Sequence, residues 1–434
     1  MTETKAVTGS LFGLDDPVKL ADEYGTPFYL VSLDELTSNA RRVSACLGDV
    51  RLLYSVKTNY LPAITRRIRE LGHGVDVVSG YELKAALDSG FSGENIVFNG
   101  PVKCREELAL AIRNGVYVNI DGLEEIDQLE LLAAEQGSPV PVGLRVYPPG
   151  DIHADDPLTP RALPSKFGWP IADGTADAVA NRILGRSWLR LTGVHCHLGS
   201  QITSASALLG VLKPVLDWTA RLRSRAGITR LDIGGGFGVP GIQMVKGAGT
   251  DLRYIQRAPA AEEGKPGQAF DMAEFASGLR RLLKEYGLDD LKIYAEPGRL
   301  LVSSAAVLLT RVASLKRLPD HTWVILDGGL NLIPAAGLAI RHRVTALRHG
   351  AAEVPCLVGG PLCFEGDVFG IDIPMPADLR VGDLVAIHDA GAYGFSRASS
   401  FNKLRAATVV VDDGVPRLAW KAETYPELMR LAVQ

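Results

Sequence analysis

Eight short runs of β-branched and apolar residues recur along the first two-thirds of the chain, and one helical pattern fills most of the gaps between them. The runs are Arg51–Val56, Gly74–Val78, Asn95–Phe98, Val116–Ile120, Val142–Val146, Thr192–His197, Thr229–Gly234 and Lys292–Glu296. Helical patterns between them include Pro62–Leu71, Glu82–Ser89, Arg105–Asn114 and Leu123–Gln136. Alternation at a spacing of about 20 residues predicts parallel β/α units, and eight such units close into a (β/α)8 TIM barrel. Two gaps are long. Pro148–Pro170 and Gly241–Gln268 are polar and are expected as loops on the barrel's C-terminal face.

The texture changes after Glu296. Val302–Leu315, Thr322–Leu326, Val354–Val358, Leu384–Ala390 and Ala407–Asp412 are β-like, with Gly/Pro turns and no helical pattern until the last residues. They predict a C-terminal all-β domain. Thr26–Val31 is also strand-like. The expected organisation is an N-terminal segment over 1–32 that pairs with the β domain, a barrel over 33–296 and the β domain over 297–434.

A chain of 434 residues buries large cores unaided, and a net charge of −4 gives no pull toward nucleic acid or anionic membrane. The 5 cysteines are odd in number and scattered, which argues for a reducing compartment rather than a disulfide framework. No run is long and apolar enough to span a bilayer, and no signal peptide is visible. The expectation is a cytoplasmic enzyme acting on a small molecule.

Barrel enzymes build their chemistry from residues at the C-terminal ends of the strands. Here those ends are Lys57, Asp76, Asn99, Asp121, Arg145, His197-Leu-Gly-Ser200, Gly234-Gly235-Gly236 and Glu296-Pro-Gly298-Arg299. Taken singly, each has a plain structural reading. A Lys after a strand is usually solvated, a Gly-Gly-Gly turn is often a tight bend, and a Glu–Arg pair can be a simple ion pair. His195 and His197 share one side of their strand, but no third ligand has supporting spacing, so no metal is expected. Taken together, the set supplies what pyridoxal phosphate needs. There is a lysine for a Schiff base, a phosphate cradle, a flat stacking residue and a carboxylate for the ring nitrogen.

The motifs resemble those of the fold-type III pyridoxal-phosphate decarboxylases, the group of diaminopimelate, ornithine and arginine decarboxylases, whose barrel is shared with alanine racemase. The resemblance runs from about Thr26 to Arg405, and the diaminopimelate type is closest in motifs. YSVKTN resembles the family's YAVKAN and implies that Lys57 forms the Schiff base. DVVSGYEL places Asp76 near that lysine, and HCHLGSQI implies ring stacking by His197 and phosphate contact by Ser200. DIGGGFG implies phosphate binding by Gly235 and Gly236. EPGR puts Glu296 at the pyridine nitrogen, with Gly298 in the turn and Arg299 near the phosphate or the substrate carboxylate. GPLCFEGDVF resembles GPLCESGDVL, a loop serving the partner subunit's site, and implies a homodimer with shared active sites and a catalytic Cys363. DAGAYGFS implies that Tyr393 contacts the phosphate, and SKFG at Ser165–Gly168 also matches.

Two positions depart from the family pattern. Phe364 stands where the family has a Glu that reads the substrate's distal ammonium, and Glu365 follows it. Pro334 stands near the family's Arg for the distal carboxylate, with Arg341 or Arg343 as alternative cations. Phe364, Glu365, Arg299 and Tyr393 are therefore the expected substrate-reading residues. The expected reaction is pyridoxal-phosphate-dependent decarboxylation of an amino acid or amino-acid conjugate in specialised metabolism. The alternatives are meso-diaminopimelate decarboxylation in lysine biosynthesis and amino-acid racemisation.

Overall fold

The computed structural model describes residues 11–14, 16–149, 165–244, 269–334, 340–348 and 352–433. Among these, contacts divide the chain into two compact units. One comprises Asn39–Gly238 and Gln268–Leu301, and the other Met1–Ser38, Val239–Gly267 and Val302–Gln434.

The first unit is the expected barrel. Its strands are Arg51–Ser55, Gly74–Val77, Ile96–Phe98, Tyr117–Ile120, Val140–Tyr147, Leu189–His195, Arg230–Asp232 and Lys292–Ala295. Each pairs in parallel with its neighbours, and Lys292–Ala295 returns to Arg51–Ser55 to close the ring. Successive side chains of a strand point to opposite faces, so each strand carries two characters. One set is apolar and buried, for example Leu52 and Tyr54, Val75 and Val77, Val118 and Ile120. The other set is polar and equally buried: Ser55, Asp76, Asn119, His195 and Asp232.

Below the polar set, Leu53, Val97, Tyr117 and Tyr294 form a small apolar cluster. The Arg230 guanidinium lies 3.7 Å from the Tyr117 ring centroid and 3.9 Å from that of Tyr294, a cation–π clasp. Glycines make room for these large side chains. A β-carbon on Gly193 would stand 2.6 Å from the Tyr117 hydroxyl, and one on Gly143 would collide with Asn119 Oδ1.

The second unit is a 9-stranded sheet assembly. Phe28–Ser32 lies antiparallel to Ala306–Arg317 on one side and parallel to Ala407–Asp412 on the other. Its main cluster is apolar, with Phe28, Leu30, Leu309, Ala386 and Val409 fully buried.

Some local expectations are corrected here. Ile242–Met244 is a strand paired with Ile340–His342, not the start of a polar loop. The run Val302–Leu315 is interrupted, because Arg299–Val302 is helical and the strand spans Ala306–Arg317. A short helix, Gly394–Arg397, interrupts the β texture. Most of the two long polar segments, at 150–164 and 245–268, lies outside the described residues.

Candidate active site

Lys57 lies in a single 3-10 turn, Val56–Thr58, directly after the first barrel strand. Its Nζ is 3.0 Å from Asp76 Oδ2, and the Ser55 hydroxyl donates to the same oxygen at 2.7 Å. Asp76 is fully buried, so its charge is held by these donors rather than by water. The other oxygen, Oδ1, accepts from Asn99 Nδ2 at 2.6 Å. The same Asn99 nitrogen also donates to Glu296 Oε1 at 2.6 Å. Asn119 Nδ2 donates to Asn99 Oδ1 at 2.8 Å.

Glu296 is 3% exposed. Burial opposes its charge, yet His195 and Lys57 hold its carboxyl well below the usual carboxylate range. His195 Nε2 approaches it at 3.3 Å. His195, Asp232 and Glu296 bring ligand atoms within 4.8 Å of one another, a third-ligand grouping that spacing alone did not reveal. Asp232 accepts from Gly234 N–H at 3.0 Å through one oxygen. Burial, reinforced by the charge of Glu296, pushes Asp232 well above the ordinary carboxylate range.

His197 is shifted downward by burial. Its Nδ1 accepts the Gly235 N–H at 3.2 Å, which fixes a neutral imidazole with its proton on Nε2. Gly234 and Gly236 have φ of +67° and +92°, conformations that favour glycine. A β-carbon on Gly235 would collide with the Glu296 carbonyl, and one on Gly236 with the Gly199 carbonyl. Ile202 N–H donates to Gly236 O at 2.8 Å, which lays the segment bearing Ser200 against this turn. Gly298 packs just as tightly, since its β-carbon would collide with the Thr58 hydroxyl. Arg299 follows, 9% exposed.

Asp121 and Arg145, strand-end residues with no assigned role, form a buried pair at 3.2 Å. Gly168 N–H donates to Asp121 at 2.6 Å, and the Arg145 guanidinium lies 4.5 Å from the Phe167 ring centroid. This explains the SKFG segment, whose Phe and Gly dock on that pair. Lys103 Nζ is 2.9 Å from Glu125 and 2.7 Å from the Gly100 carbonyl, with almost no exposure on either side chain.

The remaining expected residues belong to the second unit. Asp367, 5% exposed, accepts from Leu330 N–H at 2.7 Å and Leu362 N–H at 2.8 Å, binding the DGGLN turn to the GPLCFEGD loop. On that loop Cys363 is exposed, its N–H donating to Asn402 Oδ1 at 3.0 Å, and Phe364 is 45% exposed. A cavity of about 460 Å³ is lined by Lys316, Trp323, Leu357, Phe364, Glu365 and Asp367, among others. Tyr393 precedes the short helix with φ +64°, unusual for a non-glycine residue.

Comparison with known proteins decides the family. Residues 33–303 match the pyridoxal-dependent decarboxylase family in its pyridoxal-binding domain. The chain belongs to this family. It is 32% identical over 432 residues to diaminopimelate decarboxylase of Bacillus subtilis, covering 96% of this chain and 93% of the relative. It is 33% identical over 436 residues to that of Actinosynnema pretiosum, covering 98% and 92%. A crystal structure of diaminopimelate decarboxylase from M. jannaschii with L-lysine superposes with a TM-score of 0.84 at 29% identity, covering 96% of this chain and 95% of that one.

A pyridoxal-phosphate-dependent carboxy-lyase of amino acids follows from this membership. The barrel residues fit the cofactor's chemistry independently. A lysine is held beside a buried carboxylate, a second carboxylate stays ionised despite burial, and turns that a β-carbon would block offer backbone for a phosphate. Asn99, like Asp121 and Arg145, receives no role from the sequence alone. It stood among the strand ends, but only the fold shows that it joins both carboxylates.

Proposed function

We propose that Lys57 carries pyridoxal phosphate, with Asp76 as the counter-charge at its nitrogen and Glu296 as the acceptor for the ring nitrogen's proton. When bound, the cofactor supplies an electron sink for the pair released as CO₂ leaves. His197 presents a neutral flat face for stacking, so it adds no positive charge beside a protonated ring. Ser200, Gly235, Gly236, Gly298 and Arg299 bind the phosphate, with Tyr393 as a further contact. Cys363 holds a proton at Sγ for return to the reacting carbon. Because its loop resembles one that serves the opposite subunit, the active form is a homodimer. A mixture of Lys57→Ala and Cys363→Ala chains should regain partial activity. No regain despite subunit exchange would place each site within one chain.

The substrate in this reading is an α-amino acid or amino-acid conjugate whose far end differs from that of meso-diaminopimelate. Phe364 carries this proposal. It presents an exposed aromatic ring beside Trp323 and Leu357 where the family pattern has a carboxylate. A ring offers no charge-assisted hydrogen bond to a distal ammonium, and Pro334 offers no donor to a distal carboxylate. The second reading, meso-diaminopimelate itself, is favoured by 32% identity over nearly the whole chain.

CO₂ release from a panel decides between them. The panel holds meso-diaminopimelate, both enantiomers of lysine, ornithine, arginine and glutamate, and several conjugates. Weak release from meso-diaminopimelate beside strong release from another member supports the first reading. Strong turnover of meso-diaminopimelate overturns it. Exchange of the α-proton without CO₂ release would point to racemisation.

A further inference from the structure

The Asn99 amide sits between two buried carboxylates that do different work. Its Nδ2 lies 2.6 Å from Asp76 Oδ1 and 2.6 Å from Glu296 Oε1. Asn99 and Asn119 are themselves 3% and 2% exposed. An amide nitrogen carries two hydrogens, so one group can satisfy both acceptors. The orientation is not free. Turned over, Asn99 would set its carbonyl oxygen against two carboxylate oxygens. The Asn119 donor, at 2.8 Å from Asn99 Oδ1, locks the productive orientation from the far side. Gly143 leaves the space in which Asn119 stands.

We propose that Asn99, locked by Asn119, is a positioning residue that fixes the carboxylate beside Lys57 and the carboxylate assigned to the cofactor ring as one unit. The inference rests on the reading that Asp76 and Glu296 serve the two ends of the cofactor. The chemical logic is charge economy. Two buried acids need donors, but a cation between them would compete with the Lys57 nitrogen and with the ring proton for the same negative charge. A neutral amide satisfies both and leaves their charges directed outward. Asn119 makes no described hydrogen bond to either carboxylate, so any effect it has on them passes through Asn99.

Other ionisable groups also reach this cluster. Glu82 acts on Asp76 and Lys57 from the helix that follows the second strand. His195 and His197 reach Glu296 from the sixth strand, and Asp232 from the seventh. Arg145 acts on His197 from the fifth. None of these is altered by substitution at 99 or 119.

The test uses the full-length protein loaded with pyridoxal phosphate. The pH titration of its visible absorbance and its cofactor dissociation constant are measured for wild type, Asn99→Ala and Asn119→Ala. Loss of the amide leaves both carboxylates more basic. The absorbance midpoint should rise by about one pH unit in Asn99→Ala and by roughly half a unit in Asn119→Ala. The dissociation constant should rise about tenfold in Asn99→Ala.

If Asn99→Ala does not fold, Asn119→Ala alone carries the test. A lower melting temperature with unchanged midpoint and affinity in Asn119→Ala would overturn the relay and leave a purely structural pair. Wild-type protein that binds no pyridoxal phosphate would instead overturn the reading of the site, and the relay's role with it.

Discussion

The two units solve the problem of an interior in opposite ways. In the β unit, Phe28, Leu30, Leu309 and Val409 fill a large apolar cluster, and the polar side chains buried in its central strands, Thr310 and Thr408, carry no charge. Its stability comes from area removed from water. In the barrel, one face of each strand is apolar, and the other, above an apolar floor of Leu53, Val97, Tyr117 and Tyr294, carries Ser55, Asp76, Asn119, His195 and Asp232. Such groups are costly to bury and stand only because each finds a partner or loses its charge. The difference teaches where the chemistry is housed. An interior devoted to stability has no reason to hold two acids within 4.8 Å of each other.

The sharpest break of this contrast is Lys57→Ala. It should reduce CO₂ release to background and abolish the visible absorbance of the loaded protein, with the apoprotein's melting temperature nearly unchanged. A large drop in stability instead would mean that the Lys57–Asp76 pair holds the barrel together.

Next in size is a matched pair of core substitutions. Phe28→Ala in the β unit should cost about 3–5 kcal/mol by denaturant unfolding. Lys103→Met in the barrel should cost a similar 3–5 kcal/mol, because it leaves the buried Glu125 without its cation. The two should part on repair. Adding Glu125→Leu to Lys103→Met should recover most of the loss, since the buried acid goes with it. Failure to recover would show that the bonds to backbone, Lys103 to the Gly100 carbonyl and Glu125 to the Asp121 N–H, outweigh the ion pair.

How much of this was legible beforehand follows from the range of each signal. The barrel strands could be read because short apolar runs and their turns are local. That Lys57, Asp76, His197 and Glu296 come together could be read because strand ends converge on one mouth of a barrel. Asn99 could not be given a role, because its two acceptors lie 23 and 197 residues away along the chain. Nothing in the sequence around it names either one. The β unit was less legible. Val368–Pro376 and Val415–Trp420 carry prolines and exposed positions that blur the alternation of a strand. Ile242–Met244 is too short to stand out from the polar segment it opens.

The smallest effects concern pH, and here the units should pull in opposite directions. Burial raises Glu82 in the barrel to about 7, against an ordinary value of 4.5. Its folded pKa exceeds its unfolded one, so its contribution is complete below about 4.5 and is lost as pH rises to about 7. Burial, with the charges of Arg343 and His342, lowers His388 in the β unit from 6.5 to about 4. Its contribution is complete above 6.5 and is lost as pH falls to about 4. Each shift amounts to about 3 kcal/mol at most. Glu82→Gln should therefore raise stability at pH 8 relative to pH 4, and His388→Gln should do the reverse. Unfolding curves across that range check both, and parallel pH profiles for the two variants would remove the contrast.

The glycines of the barrel interior also constrain how this chain can change over time. Gly143 cannot gain even a methyl group while Asn119 stands against it, and Gly193 is bounded in the same way by Tyr117 and Arg230. Drift at these sites must run in a fixed order, with the large neighbour shrinking before the glycine grows. A lineage that remodels its substrate mouth is free to do so at the loops. One that remodels the floor beneath the carboxylates must change at least two residues, and its intermediate forfeits the amide lock.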